Sequence, residues 1–290
     1  MLRLAVTTDA ETRDRMADPL ADRDIAVEYL PCSARQFRLT GADRPAADRF
    51  DAGFVFPGRL MEGGVVDALY GIPWLNDRQT VLRSRNKAAV IARLDAAGLP
   101  VPETVLVSNP ADEPTLEAAF EAVGTPAILK PNSTTRGTGV LRIDDYDSFR
   151  SAVDYLKLVH DFNATGDKSF LLQEFLPAAR DVRVMVIEGT YVGAVERRLS
   201  TAAREAGRYV TNVHRGATAE AITPAPRIRA LAERAASELD FAFAGIDLLV
   251  TEDRAVVSET NVRPTIDAAD KYVDDFYDRL ATAIRGCVES

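Results

Sequence analysis

Two kinds of hydrophobic spacing divide the chain. LRLAVTT and IAVEYLP are short apolar runs on either side of a polar, helix-like stretch, and DAGFVFPG with GIPWLN adds two more strand-like runs separated by turn residues. Strands and helices alternating at this size predict a small α/β lobe with an open, largely parallel sheet over residues 1–75. From Asn76 the spacing turns helical through DRQTVLRSRNKAAVIARLDAAGLPVP, with Leu82, Ala89, Val90 and Leu94 as the apolar stripe and Gly98 as the stop. TVLVS and PAILKP, split by a helix through EPTLEAAFEAVG, complete a second lobe over 76–170. Over 171–290, LLQEFL leads into strands DVRVMVIEG, TYVGAVERR, GIDLLV and AVVSETNV, a helix over PRIRALAERAASELDF and a last helix near VDDFYDRLATAIRGCVES. STAAREAGRYVT is the expected mobile loop.

The stretch from Gly245 to Val262 reads as a hairpin. Folding about Asp253 pairs Leu249 with Val257 and Asp247 with Glu259, and Asn261 joins the same face because side chains two apart share it. Directly paired Cβ atoms sit about 5 Å apart, so the two acids repel unless a cation or proton joins them. Oxygen-only donors at that spacing suit Mg²⁺ or Mn²⁺, ions that bridge carboxylates to nucleotide phosphates. A solvated hairpin with scattered acids is the plainer alternative, and the apolar flanking strands weigh against it.

Composition narrows the class. At 290 residues, 47% hydrophobic and 27% charged, the chain has the profile of a globular protein with a sizeable core. No apolar run is long enough for a bilayer and MLRLAVTTDA has no signal-peptide core, which predicts a cytoplasmic protein without a membrane partner. A net charge of -9 argues against a nucleic-acid partner, since such binding needs clustered cations. Cys32 and Cys287 are far apart in sequence and support neither a disulfide framework nor a cysteine metal site.

Only 5 lysines stand against 30 arginines, which makes two of the lysines informative. Lys130 ends an apolar strand in KPNSTTRGTGV, where hydroxyls, Arg136, Gly137 and Gly139 form a loop whose amides can approach anionic oxygens. The loop is no Walker A sequence, and a hairpin turn explains it equally well on spacing alone. Lys87, in RSRNK, is either a second phosphate contact or a helix-surface lysine. Glu174 in LLQEFL suits ribose hydroxyls or, alternatively, a solvated strand end. Arg183 alternates with Asp181 in one strand, Arg198 and Arg215 follow, and guanidinium forks at strand ends suit carboxylate and phosphate oxygens. His214 and His160 make no multi-histidine metal site.

Taken in order, these segments resemble the ATP-grasp superfamily, specifically its RimK-type carboxylate-amine ligases. The match runs through RNKAAVIARLDAAGLPVP, AILKPNSTTRGTGV, QEFL, DVRVMVIEGTYVGAVERR, TNVHRG, GIDLLV and SETN, covering most of 78–265. The resemblance implies an α/β ATP-grasp fold preceded by a small Rossmann-like domain, with ATP between two lobes. It implies Lys87 and Lys130 on the phosphates, Arg136, Gly137, Gly139 and Asp181 lining the nucleotide, and Glu174 near the ribose. Asp247, Glu259 and Asn261 match the Mg²⁺ or Mn²⁺ ligands, and Arg183, Arg198, Asn212 and Arg215 match polar positions around an acyl-phosphate. One departure stands out: VRPTID follows the metal motif where many relatives carry small residues and glycine, so Arg263 and Thr265 are candidates for contact with a different substrate. The reaction implied joins a small-molecule or protein carboxylate to an amine, such as that of glutamate, releasing ADP and phosphate. The resemblance also implies a homodimer or homotetramer, and the competing class is a non-catalytic ATP-binding regulator.

Overall fold

The computed structural model describes residues 1–289 apart from 9, 42–44, 47, 135–137, 163–166, 210 and 212–215. Its N-terminal segment forms β1 (Leu2–Val6), α1 (Ala10–Ala21), β2 (Ile25–Tyr29) and β3 (Ala52–Gly53), a parallel sheet in the order β2-β1-β3. GIPWLN, expected as a full strand, contributes only a bridge from Trp74 to Gly53. A side chain at Gly53 would collide with the Trp74 ring, so glycine is what lets the indole lie on the sheet.

After α2 (Leu60–Tyr70), the expected single helix is two, α3 (Arg78–Arg85) and α4 (Lys87–Ala96). Asn86 leaves the helical conformation, and its side chain caps α4 by accepting from the Ala89 amide at 3.1 Å. The break resets the apolar phase: Val81, Val90, Ile91 and Leu94 are buried, whereas Ala89 is exposed and Leu82 half-buried. Gly98 ends the helix in the left-handed region, as its position predicts.

The second sheet comprises β4 (Thr104–Ser108), β5 (Ala127–Pro131), β6 (Leu141–Ile143) and β7 (Ser169–Glu174), antiparallel in the order β4-β7-β5-β6. α5 (Glu113–Val123) and α6 (Tyr146–Phe162) cover one face around Leu116, Leu129, Phe149, Phe170 and Leu172. The pairing of β7 carries this sheet to Glu174, past residue 170.

The third sheet is antiparallel, in the order β10-β9-β8-β11-β12, from β8 (Arg180–Ile187), β9 (Thr190–Arg198), β10 (Thr218–Ala221), β11 (Phe243–Val250) and β12 (Ala255–Asn261). The segment expected as a mobile loop contains α7 (Thr201–Glu205), started by Ser200 Oγ accepting from the Ala203 amide at 3.2 Å. On one face of the sheet Val182, Val184 and Val186 pack with α8 (Pro226–Glu238); on the other, Met185 and Ile187 share a core with β1, Phe54 and α9 (Phe276–Glu289). The first and third sheets therefore share cores, while the second has its own. No described helix is long and apolar enough to cross a membrane.

The hairpin pairs Asp247 with Glu259 as the spacing predicts, but Leu249 faces Val256 and Leu248 faces Val257. A bulge causes the shift: Ser258 is the extra residue, and its hydroxyl donates to the Asp247 carbonyl at 3.1 Å.

Candidate functional site

Strand alternation decides which groups meet. In β5, Ala127 and Leu129 turn into the lobe's own core, which leaves Lys130 on the opposite face. Lys130 is buried, and its Nζ donates to Gln173 Oε1 at 2.9 Å. Burial pushes its pKa down to about 8; Glu259 and Asp247 oppose that shift and Lys87 adds to it, so all four charges act on one another.

Lys87 is placed by an asparagine clasp. Asn132, just past β5, accepts from the Ala88 amide through Oδ1 at 2.9 Å and donates through Nδ2 to Asn86 Oδ1 at 3.1 Å. The Lys87 amide donates to the Asn132 carbonyl at 3.4 Å, and its ammonium bonds the Thr134 carbonyl. Thus the start of α4 is fastened to the loop after β5, and Lys87 Nζ reaches Glu259 Oε1 at 3.4 Å.

On the third sheet Asp181 and Arg183 of β8, Arg197 of β9 and Asp247 of β11 share a face through the registers Asp181–Arg197 and Arg183–Asp247. Arg183 grips Asp247 with two parallel bonds, Nε to Oδ1 at 2.6 Å and NH2 to Oδ2 at 2.8 Å. Arg197 bridges Asp181 at 2.5 Å and Asp247 at 3.0 Å. Gly245 leaves room for this, since a Cβ there would lie 3.1 Å from Arg183 Cδ. Burial alone would raise the Asp247 pKa, yet Arg183 and then Arg197 hold it at about 2. Burial raises that of Asp181, whose Oδ2 accepts from the Thr211 hydroxyl.

The repulsion expected between Asp247 and Glu259 is therefore met by the protein's own cations. Both Asp247 oxygens are held by guanidiniums, whereas Glu259 is partly exposed and Asn261 Oδ1 accepts from the Arg263 amide at 3.0 Å. Among the described residues no three His, Cys, Asp or Glu side chains group closely enough to hold a metal. The oxygen chemistry of Glu259 and Asn261 fits a hard divalent ion; Asp247 reaches such an ion only if Arg183 or Arg197 yields an oxygen.

Other sequence-derived positions fall elsewhere. Arg198 points away from the site and pairs with Glu196 at 2.9 Å and Glu220 at 3.3 Å, because a one-residue step along β9 flips the face and gives the inward place to Arg197. Glu174 accepts from the Glu103 amide at 2.9 Å and pairs with Arg254 in the hairpin turn at 2.5 Å. Gly139 turns with positive φ against Pro131. Arg136, Gly137, Asn212, His214 and Arg215 lie outside the described residues. Arg197, Gln173 and the Asn86–Asn132 clasp are not marked in the sequence; pairing of β8 with β9 and of β5 with β7 is what sets Arg197 on the face of Arg183 and Gln173 on the face of Lys130.

A family model described as a RimK-like ATP-grasp domain matches residues 84–283, which takes in α4, the second and third sheets and most of α9. The chain belongs to the RimK-like ATP-grasp family. A probable alpha-L-glutamate ligase of Legionella pneumophila (strain Corby) is 30% identical over 203 residues, 69% of this chain and 63% of that protein. The chain thus spans less than two thirds of the length of the curated relatives it matches first. Among solved structures, the RimK domain ATP-grasp protein of Sphaerobacter thermophilus DSM 20745 superposes with a TM-score of 0.70 at 22% identity, covering 99% of this chain and 100% of that one. The D-alanine–D-alanine ligase of Bacillus anthracis complexed with ATP gives 0.67 at 14% identity, covering 100% and 98%. These similarities show the ATP-grasp fold.

Proposed function

We propose that this RimK-like protein is an ATP-dependent carboxylate-amine ligase that activates a substrate carboxylate as an acyl-phosphate and passes it to an amine, glutamate being the first amine to test. The observation that carries the reading is the meeting of Lys87, Lys130 and Glu259 beside the Arg183–Asp247–Arg197 network, at the junction of the second and third sheets. Two ammoniums there offset the charge of nucleotide phosphates. Two guanidiniums, fixed in place by buried carboxylates, face the transferring group without having to reorganise as charge shifts. Glu259 and Asn261 would hold Mg²⁺ or Mn²⁺, which when bound supplies charge neutralisation between phosphate oxygens.

The names of the relatives point to glutamate. Of the polar positions assigned to the acyl-phosphate, Arg183 has the geometry described above, and Asn212 and Arg215 stay assigned by family position. A three-part division near residues 75 and 170, a cytoplasmic setting and a homo-oligomer belong to the same proposal. The test is ADP release across pairs of carboxylates and amines, with mass spectrometry of the products. ADP formation that depends on both partners, with an amide product, is the expected result. Tight ATP binding without turnover for any pair would favour the regulator instead.

A further inference from the structure

The segment between β9 and β10 leaves the third sheet, touches the second and returns. Its Tyr209 hydroxyl accepts from the Arg142 amide at 2.8 Å and donates to the Val140 carbonyl at 3.3 Å, on either side of Leu141, the first residue of β6. β6 ends the strand order β4-β7-β5-β6, which among the described residues leaves its outer edge without a further strand, and the one phenol satisfies both a donor and an acceptor of that edge. Two residues on, the Thr211 hydroxyl donates to Asp181 Oδ2 in β8. Arg197 holds Asp181 at 2.5 Å and reaches Asp247 at 3.0 Å. A hydrogen-bonded path therefore runs from the edge of the second sheet to the buried arginines of the third.

What Tyr209 holds is the exit of the loop that follows Lys130. Val140 comes directly after Gly139, which turns with positive φ and has no room for a Cβ beside Pro131. The entry of the loop is fixed separately: the Thr134 hydroxyl donates to the Thr138 carbonyl at 2.9 Å, and the Thr134 carbonyl takes the Lys87 ammonium. The segment that carries Tyr209 has little else to fix it. Its helix α7 is only five residues long, closed by the Ala206 and Arg208 amides on the Ala202 and Ala203 carbonyls, each at 3.0 Å. Between residues 200 and 216 none of the described side chains joins a hydrophobic core. Polar bonds rather than apolar packing therefore decide where this segment lies.

We infer that Tyr209 and Thr211 act together as a tie between the second and third sheets, a pair of positioning residues that set the exit of the Lys130 loop against the Arg183–Asp247–Arg197 network. The inference rests on the nucleotide site of the ligase reading and adds a coupling to it. A nucleotide whose phosphates lie on Lys87 and Lys130 meets one end of the tie, and Asp181, beside the arginines, meets the other. A ligand that favours the tied arrangement is favoured by it in turn, so nucleotide binding and the fastening of Tyr209 and Thr211 strengthen each other by the same factor.

Trypsin reads the tie directly, because one of its cleavage points, after Arg208, adjoins Tyr209. The full chain is digested under native conditions with and without ADP and Mg²⁺, and cleavage at that bond is followed by mass spectrometry. Cleavage after Arg93, inside α4, reports global unfolding in the same digest. Loss of the two phenol hydrogen bonds in Tyr209→Phe should speed cleavage after Arg208 about tenfold and leave cleavage after Arg93 unchanged. Thr211→Val, which keeps both bonds of Tyr209, should speed it as well, because the segment is then fastened at one end only. Saturating ADP should slow this cleavage about fivefold or more in wild type and less than about twofold in either variant, and calorimetry should find ADP affinity lowered in both variants. A Tyr209→Phe or Thr211→Val protein cleaved after Arg208 at the wild-type rate, or protected by ADP as fully as wild type, would overturn the tie. Faster cleavage in both variants with no protection of wild type by ADP would leave the tie standing and count against the nucleotide site instead.

Discussion

Nucleotide binding should take up a proton at alkaline pH, and Lys130 should be the group that takes it. In the free protein burial holds its pKa at about 8, so at pH 9 roughly nine-tenths of the molecules carry a neutral amine. Phosphate oxygens beside the amine favour its charged form, and the terminal phosphate loses its own last proton near pH 6, well below the test range. Binding at pH 9 must then recruit about 0.9 proton per site, and affinity should fall about tenfold per pH unit above 8. Calorimetry in two buffers of different ionisation enthalpy reads that number directly, and Lys130→Met should bring it close to zero. The unbound protein should show the opposite trend. Because the folded pKa lies below the unfolded 10.5, the unfolded state holds more protons between pH 8 and 10.5, and this residue's contribution to stability rises by about 3 kcal/mol across that window. Absent proton uptake at pH 9, or equal uptake by wild type and Lys130→Met, would refute this account of the buried lysine.

Glu259→Gln should abolish turnover, and because Glu259 is the main charge supporting the Lys130 ammonium, it should also move the onset of proton uptake to lower pH in the same calorimetric assay. Arg183→Ala should cost about 3–5 kcal/mol in urea unfolding, since it strips the bidentate partner from a fully buried Asp247. Asn86→Ala removes the cap of α4 and half the clasp on Asn132; a loss of about 1 kcal/mol in stability should accompany a much larger loss in nucleotide affinity. Glu196, held by Arg180 and Arg198 and lowered to about 2, stabilises the fold above pH 4.5, so its contribution should fade as pH drops from 4.5 towards 2 and be missing in Glu196→Gln.

What could be read from the sequence was what alternation and order carry. The pairing of Asp247 with Glu259 follows from counting outward from Asp253, and the apolar strands around Lys130 and Arg183 follow from their spacing. The bulge at Ser258 is not legible in the sequence, because one extra residue changes no composition, only register. The resemblance points to Arg198, but Arg197 carries the same charge one residue away, and only parity relative to Val195 separates the inward side chain from the outward one. The break at Asn86 was hidden for a different reason: the local sequence is compatible with one helix, and the choice is made by Asn132, 46 residues away in the chain. Side chains that close a site by long-range hydrogen bonds leave no periodic trace.

The shared core between the first and third sheets bears on how the chain is made. Leu4, Val6 and Phe54 from the beginning are covered by Phe276, Leu280 and Ile284 of α9, and Tyr277 Oη donates to the Arg15 carbonyl at 2.7 Å. At about 5–20 residues per second on the ribosome, the more than 200 residues between these partners take roughly 10–45 s to emerge. During that interval the face of the nascent N-terminal sheet that carries Leu4 and Val6 has only Met16 and Leu20 of α1 beside it, while the second sheet already has a complete interior. Synthesis should therefore complete the interior of the second sheet before that of the first, which waits longest for its cover.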